Sequence, residues 1–182
     1  MNTYIALLRG INVGGNKVIR MPELKALFES LELRQVRTYI QSGNVVFECA
    51  ETAAGPLARA LEEKIAGTFG FGASVLIRSR EELEAAAAAN PYPLAAKEDY
   101  KRLYVSFLEQ EPSADALERL MPYAGGPDKL TVVGRELYTL YEASISKSPL
   151  FKVRLDQILG TDMTTRNWNT VTKLAEMARE KG

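Results

Sequence analysis

The feature that most constrains the fold is the order in which two hydrophobic periodicities alternate along the first eighty residues. Thr3 to Arg9 (TYIALLR) is a short apolar run of β-formers, the signature of a buried strand. Gly10 to Arg20 carries no such pattern and reads as a loop. Met21-Pro22 then opens a helix, with proline in the first turn and Leu24, Leu27, Phe28 and Leu31 spaced along one face. Gln35 to Gln41 and Asn44 to Cys49 alternate as strands do, and Ser42-Gly43 joins them in a tight turn. Leu57, Leu61, Ile65 and Phe69 mark a second helix that ends at Gly70, and Ala73 to Arg78 is a fourth strand. The order β-α-β-β-α-β is that of a split βαβ unit.

A second, similar series follows. Glu81 to Ala89 is an alanine-rich helix stopped by Asn90-Pro91, and residues 91–100 read as a linker. Arg102 to Leu108 is a strand, Ser113 to Met121 a helix, and Lys129 to Val133 with Glu136 to Tyr141 a hairpin across Gly134. Two helices, about Pro149 to Leu159 and Trp168 to Lys181, are expected to close the chain. The expected fold is therefore α+β, with two ferredoxin-like (split βαβ) halves packed as one unit. The expected boundaries are 1–79 for the first half, 80–100 for the helix and linker, and 101–182 for the second half with its C-terminal helix. Between the halves, the first strand-to-helix connection, Gly10 to Arg20, is the longer. Such connections usually run to about 2–6 residues, so this one calls for an explanation.

Composition narrows the chemistry more than the fold. The chain of 182 residues has no histidine and one cysteine. Without histidine, Ser-His-Asp and Cys-His catalysis and a Cys/His zinc site are excluded. An enzyme here would work with carboxylates, Lys, Arg, Tyr or Ser, or with a hard cation, and no metal-ligating residues are singled out. A lone cysteine makes no intrachain disulfide, and the first residues lack the charged head and apolar stretch of an export signal. No apolar run approaches the roughly 18–20 residues of a membrane span. Cytoplasmic location without membrane attachment is the expectation. Lys plus Arg and Asp plus Glu both number 23, which disfavours a generic nucleic-acid binder. The ends are nevertheless basic: six basic against four acidic residues over 1–48, and seven against four over 144–182.

Three segments carry the residues a ligand site would need. Gly10 to Lys17 (GINVGGNK) combines glycines, whose N–H groups can approach a ligand closely, with a lysine, as a phosphate cradle does. Gly10 and Gly15 have Walker A spacing, but Asn16-Lys17 replaces Lys-Ser/Thr and the helix begins too late, so it is no P-loop. The bland alternative is a long loop with glycines at left-handed positions. Arg9 ends the first strand. Arg37 and Tyr39 share one face of the second strand, and a helix pair on the other face would leave theirs open, as in modules that meet RNA. Gln41, Ser42 and Asn44 surround the turn glycine. Finally, Thr164 to Thr170 holds the only tryptophan. There Thr165 or Asn167 can cap the following helix, with Arg166 beside its positive end and Trp168 either stacking on a base or packing in the core. Lys147, in Ser144 to Lys147, is a further candidate anion contact rather than a catalytic residue, since the Ser-x-x-Lys spacing lacks its companion motifs. Cys49 reads as core, and Glu62-Glu63 and Glu81-Glu82 as solvated helix faces.

The segments LLRGINVGGNK, RTYIQSGNVVF and TTRNWNTVTKLAEMA together resemble a widespread bacterial family of domains of unknown function. Its members carry LRGINVGG, TYxQSGNVVF and TTRNWNT motifs in that order. The resemblance implies an α+β fold of two ferredoxin-like halves and brings no established activity, cofactor or substrate. Its motif positions here are Arg9, Gly10, Asn12, Gly14, Gly15, Gln41, Ser42, Gly43, Asn44, Arg166, Asn167, Trp168 and Asn169. Three functions fit the sequence. The first is a binding module for a phosphorylated small molecule, a nucleotide or a nucleic-acid segment, using Arg9, Gly10, Asn12, Gly14, Gly15, Lys17, Gln41, Ser42, Asn44, Lys147, Arg166, Asn167, Trp168 and Asn169. The second is a histidine-free enzyme on a phosphorylated or nucleotide-like substrate, with Arg9 and Arg166 stabilising charge and Lys17 or Tyr39 moving protons. The third is a protein-interaction module. Cofactor and oligomeric state are left open.

Overall fold

In a computed structural model the described residues are 1–50 and 53–180. They form two compact units, Met1–Ala85 with Lys173–Gly182, and Ala86–Thr172. Among the described residues no helix is long and apolar enough to cross a membrane.

The first unit contains β1 (Asn2–Leu8), α1 (Met21–Glu29), β2 (Arg34–Tyr39), β3 (Asn44–Cys49), α2 (Ala54–Phe69) and β4 (Val75–Ser79). Its antiparallel sheet has the order β2-β3-β1-β4, which is the ferredoxin-like arrangement. β1 is central and buried on both faces, which is why it reads as an unbroken apolar run. One face, carrying Tyr4, Ala6, Leu8, Val45, Phe47 and Ile77, packs with Phe28 of α1 and with Leu61 and Ile65 of α2. Phe28 meets the ring of Phe47 edge-on at 5.6 Å between centroids.

The opposite face is not open, contrary to the sequence expectation. The register aligns Ile5 with Val46 and Arg78, and Leu7 with Asn44 and Leu76. All six are buried, including the charged Arg78. Arg37 and Tyr39, on the edge strand β2, are half-buried, and Arg37 Nη1 lies 3.7 Å from Glu180 Oε2. The alternation was correct; the inference from it was not, because both faces of this sheet are covered.

α3 (Arg80–Ala88) follows β4 directly. Glu82 Oε1 accepts from the Ser79 N–H (2.9 Å) while Ser79 Oγ accepts from the Glu82 N–H (3.1 Å), a capping box. Glu82 is thus a helix-start device rather than part of a solvated face.

The second unit contains β5 (Leu103–Leu108), α4 (Ala114–Ala124), β6 (Lys129–Val133), β7 (Glu136–Leu140), α5 (Leu155–Leu159) and β8 (Met163–Asn167). Sheet order is β6-β7-β5-β8, the same arrangement as in the first unit. Ser113 caps α4, its Oγ accepting from the Ala116 N–H. Two sequence expectations need correction. The helix expected over Pro149 to Leu159 is broken: Pro149–Lys152 is a 3-10 turn, started by Ser148 Oγ accepting from the Leu150 N–H, and only Leu155–Leu159 is α-helical. The segment Met163–Asn167 is a strand, so the second series is also β-α-β-β-α-β. α6 (Trp168–Arg179) begins directly after it; Lys181, the expected last helical residue, lies outside the described residues.

The correspondence between the units extends to register. The Leu8 N–H donates to Gly43 O (2.9 Å) and the Leu108 N–H to Arg135 O (2.8 Å). One residue on, the Arg9 N–H donates to Ser74 O (3.0 Å) and the Glu109 N–H to Asp162 O (2.9 Å). Ile5 faces Arg78 across β1 and β4, and Val105 faces Arg166 across β5 and β8. Both arginines are buried. The units also differ in the first strand-to-helix connection, residues 9–20 in the first unit against 109–113 in the second.

Candidate functional site

The long connection folds back on itself. The Asn12 N–H donates to Lys17 O (3.1 Å) and the Asn16 N–H to Val13 O (3.0 Å). Gly14 and Gly15, at φ +59° and +77°, form the two-residue tip; positive φ at both central positions is what such a mirror-image turn requires. The tip glycines are exposed.

Asn12 fastens this hairpin to the rest of the unit. Its Oδ1 accepts from the Ile19 N–H (2.9 Å), and its Nδ2 donates to Ile19 O (3.0 Å) and to Gln41 O (2.8 Å). The β2–β3 turn is shaped to receive it. Asn44 is fully buried, and its Nδ2 donates to Tyr39 O (2.8 Å) and Ser42 Oγ (2.9 Å). Gly43, at φ +90°, lies so close to the hairpin base that a Cβ there would stand 2.8 Å from Ile11 Cδ1 and 2.9 Å from Leu8 Cβ. The first two sequence motifs therefore meet, and much of their polar content joins backbone to backbone.

Beside this clasp lies an open cleft of about 480 Å³ lined by Arg9, Gly10, Lys17, Glu62, Gly72, Ala73 and Ser74. β1 delivers Arg9 at its end, the hairpin returns Lys17, and α2 contributes Glu62. Glu62 Oε2 accepts from the Val75 N–H (3.3 Å), so this carboxylate also secures the start of β4. It is half-buried in the cleft wall, not a solvated helix face. Two cations face one carboxylate here.

Of the residues selected from sequence, the cleft brings together Arg9, Gly10 and Lys17. Asn12, Gln41, Ser42 and Asn44 make the clasp next to it, and Gly14 and Gly15 form the hairpin tip outside the lining. Lys147, Arg166, Asn167, Trp168 and Asn169 belong to the second unit. There Asn167 Oδ1 accepts from the Thr170 N–H (3.0 Å) and caps α6, and Trp168 is buried. Arg166 lies in β8 with its Nη1 donating to Thr165 O (2.9 Å), and burial pulls its guanidinium down to about 10. Lys147 is exposed on a 3-10 turn, and Asn169 is exposed in the first turn of α6.

Sequence reasoning missed Glu62, Gly72, Ala73 and Ser74 as cleft residues. The signal for the last three was the run of small residues Gly72-Ala73-Ser74 just before β4. The second unit has a smaller open cleft of about 380 Å³, lined by Glu109, Gln110, Asp156, Gln157, Gly160, Thr161 and Asp162. Among the described residues no three His, Cys, Asp or Glu side chains are grouped to hold a metal ion.

A family model described as "Protein of unknown function (DUF1697)" matches residues 1–138. The chain belongs to the DUF1697 family. The matched residues contain the hairpin, the β2–β3 turn and the whole lining of the first cleft. A solved structure of a conserved bacterial protein, SP0830 from Streptococcus pneumoniae, is similar over 98% of this chain and 99% of its own. The TM-score is 0.71 at 26% sequence identity, so this DUF1697 member shares its fold from end to end. No curated protein matches.

Proposed function

We propose that this DUF1697 protein binds a small phosphorylated molecule, such as a nucleotide, in the cleft of its first unit. The observation that carries the reading is the convergence of Arg9 and Lys17, brought from the two ends of a clasped hairpin to one cleft, with Gly10 at φ +71° between strand and loop. Guanidinium and ammonium groups are the side chains that make charge-assisted bonds to phosphate oxygens. The cleft volume falls in the range of about 300–1,000 Å³ that small ligands occupy. A nucleic-acid segment needs an extended basic track, and one cleft with two cations and a carboxylate supports a compact ligand better.

A thermal-shift screen with nucleotides, sugar phosphates and pyrophosphate, followed by calorimetry on the best of them, tests the reading. The expected result is saturable binding that Lys17→Ala weakens about tenfold, the value of one lost charge-assisted bond. Salt dependence should be shallow, since few phosphates are neutralised. An affinity unchanged by Lys17→Ala, or a steep salt slope reporting a polyanion, refutes it.

A further inference from the structure

The two clefts occupy the same place in two copies of the same unit. Each begins at the residue following the first strand: Arg9 after Leu8, and Glu109 after Leu108. That residue is fixed by the same backbone bond in both units, its N–H donating to the carbonyl at the entry to the last strand, Ser74 in one and Asp162 in the other. Both acceptors line their clefts, as do the residues just before them, Gly72 and Ala73 in one and Gly160 and Thr161 in the other.

What differs is charge. The first cleft carries Arg9 and Lys17 against Glu62, and the second carries Glu109, Asp156 and Asp162. At the acceptor position the neutral Ser74 is matched by the acidic Asp162, so both partners of the shared backbone bond are more negative in the second unit. Lys17 comes from the long hairpin, for which the second unit has only the short connection 109–113.

We propose that position 9 is the charge-selecting residue of the phosphate site, and that the fold presents this cleft twice but arms it for an anion only once. The proposal rests on the phosphate reading given above. Because the main chain at positions 9 and 109 is held alike, replacing the side chain changes the charge at the cleft mouth while leaving the backbone bond intact. Arg9 binds the phosphate directly in this reading, and one ligand is bound per chain.

The test is calorimetric titration of the full chain with pyrophosphate at low ionic strength. Wild type is expected to bind one pyrophosphate per chain. Arg9→Lys should keep most of the affinity, Arg9→Gln should lose about tenfold or more, and Arg9→Glu should abolish measurable binding. Glu109→Gln should change neither affinity nor stoichiometry. Circular dichroism checks each fold, and should Arg9→Glu not fold, the lysine and glutamine variants give the same ranking. If wild type binds, Lys17→Ala weakens it and Arg9→Gln does not, position 9 is not the selector while the phosphate reading stands. A stoichiometry of two that Glu109→Gln reduces to one also overturns the proposal. If wild type binds no pyrophosphate or nucleotide, the phosphate reading and this proposal fall together.

Discussion

Gly43→Ala should destabilise the first unit well beyond an ordinary loop substitution. The new Cβ would stand 2.8 Å from Ile11 Cδ1 and 2.9 Å from Leu8 Cβ, both distances that real Cβ contacts essentially never show. Leu8 is a central-strand residue and Ile11 anchors the hairpin base, and both are fully or almost fully buried, so neither can swing aside. The φ of +90° adds backbone strain for any L-side chain. A left-handed alanine costs about 1–2 kcal/mol and overpacking about 1–3 kcal/mol, together about 2–5 kcal/mol. Against a typical domain stability of about 5–15 kcal/mol that is a large fraction. Gly15→Ala is the matched control, since its φ is +77° but nothing lies within 4 Å of its Cβ, leaving only the strain. Urea titration by circular dichroism gives the loss, and hydrogen exchange of peptides from β1 and β3 locates it. A Gly43→Ala chain no less stable than Gly15→Ala would refute the close approach of turn and hairpin.

Asn12→Ala removes three hydrogen bonds at the hairpin base and should cost about 1–3 kcal/mol, with exchange protection lost at the Ile19 amide. Phe47→Ala, a fully buried ring between Tyr4 and Phe28, should cost about 3–5 kcal/mol in thermal or urea unfolding. The Cys49 thiol, raised by burial, should react slowly with a disulfide reagent at pH 8 and promptly once urea exposes it. In the second unit burial raises Tyr141 to about 12 and Tyr138 further upward, against an ordinary value near 10. The folded values lie above the unfolded ones, so this stabilisation is intact below about pH 10 and is lost as pH rises through about 12. Absorbance at 295 nm should show these tyrosines ionising late in the native protein, and tyrosines that all titrate near 10 before unfolding would contradict their burial.

The first unit was legible because its strands and helices are marked by apolar side chains. TYIALLR is an unbroken apolar run, NVVFEC is rich in β-formers and Leu24–Leu27–Phe28 keeps helical spacing, while Gly43 and Gly70 mark turns where φ is positive. β8 was not legible, since its buried positions are Thr164 and Arg166 and a strand with polar residues inward has no apolar alternation to read. The break before α5 depends on a serine hydroxyl capturing an amide two residues on, which competes with the helix locally and leaves no mark on hydrophobic spacing. In the site, Arg9, Gly10 and Lys17 could be picked out by residue type. The clasp could not, because Asn12 and Gln41 are 29 residues apart and their link ends on a main-chain carbonyl, which a residue of any type could supply. Glu62 has the sequence context of a helix-surface carboxylate, and its role comes from the Val75 N–H, 13 residues on, that donates to it.

The first unit is discontinuous in the chain, its residues 173–182 arriving after the whole of the second. During synthesis, which runs from the amino end, the second unit has all its residues once Thr172 is made, while the first still lacks a segment. Glu180, which reaches Arg37 on the edge strand, is made after the whole of the second unit. Order of emergence and order of completion are therefore reversed: the unit that leaves the ribosome first is the one finished last. Until then the nascent first unit lacks the residues from Lys173 onward that belong to it.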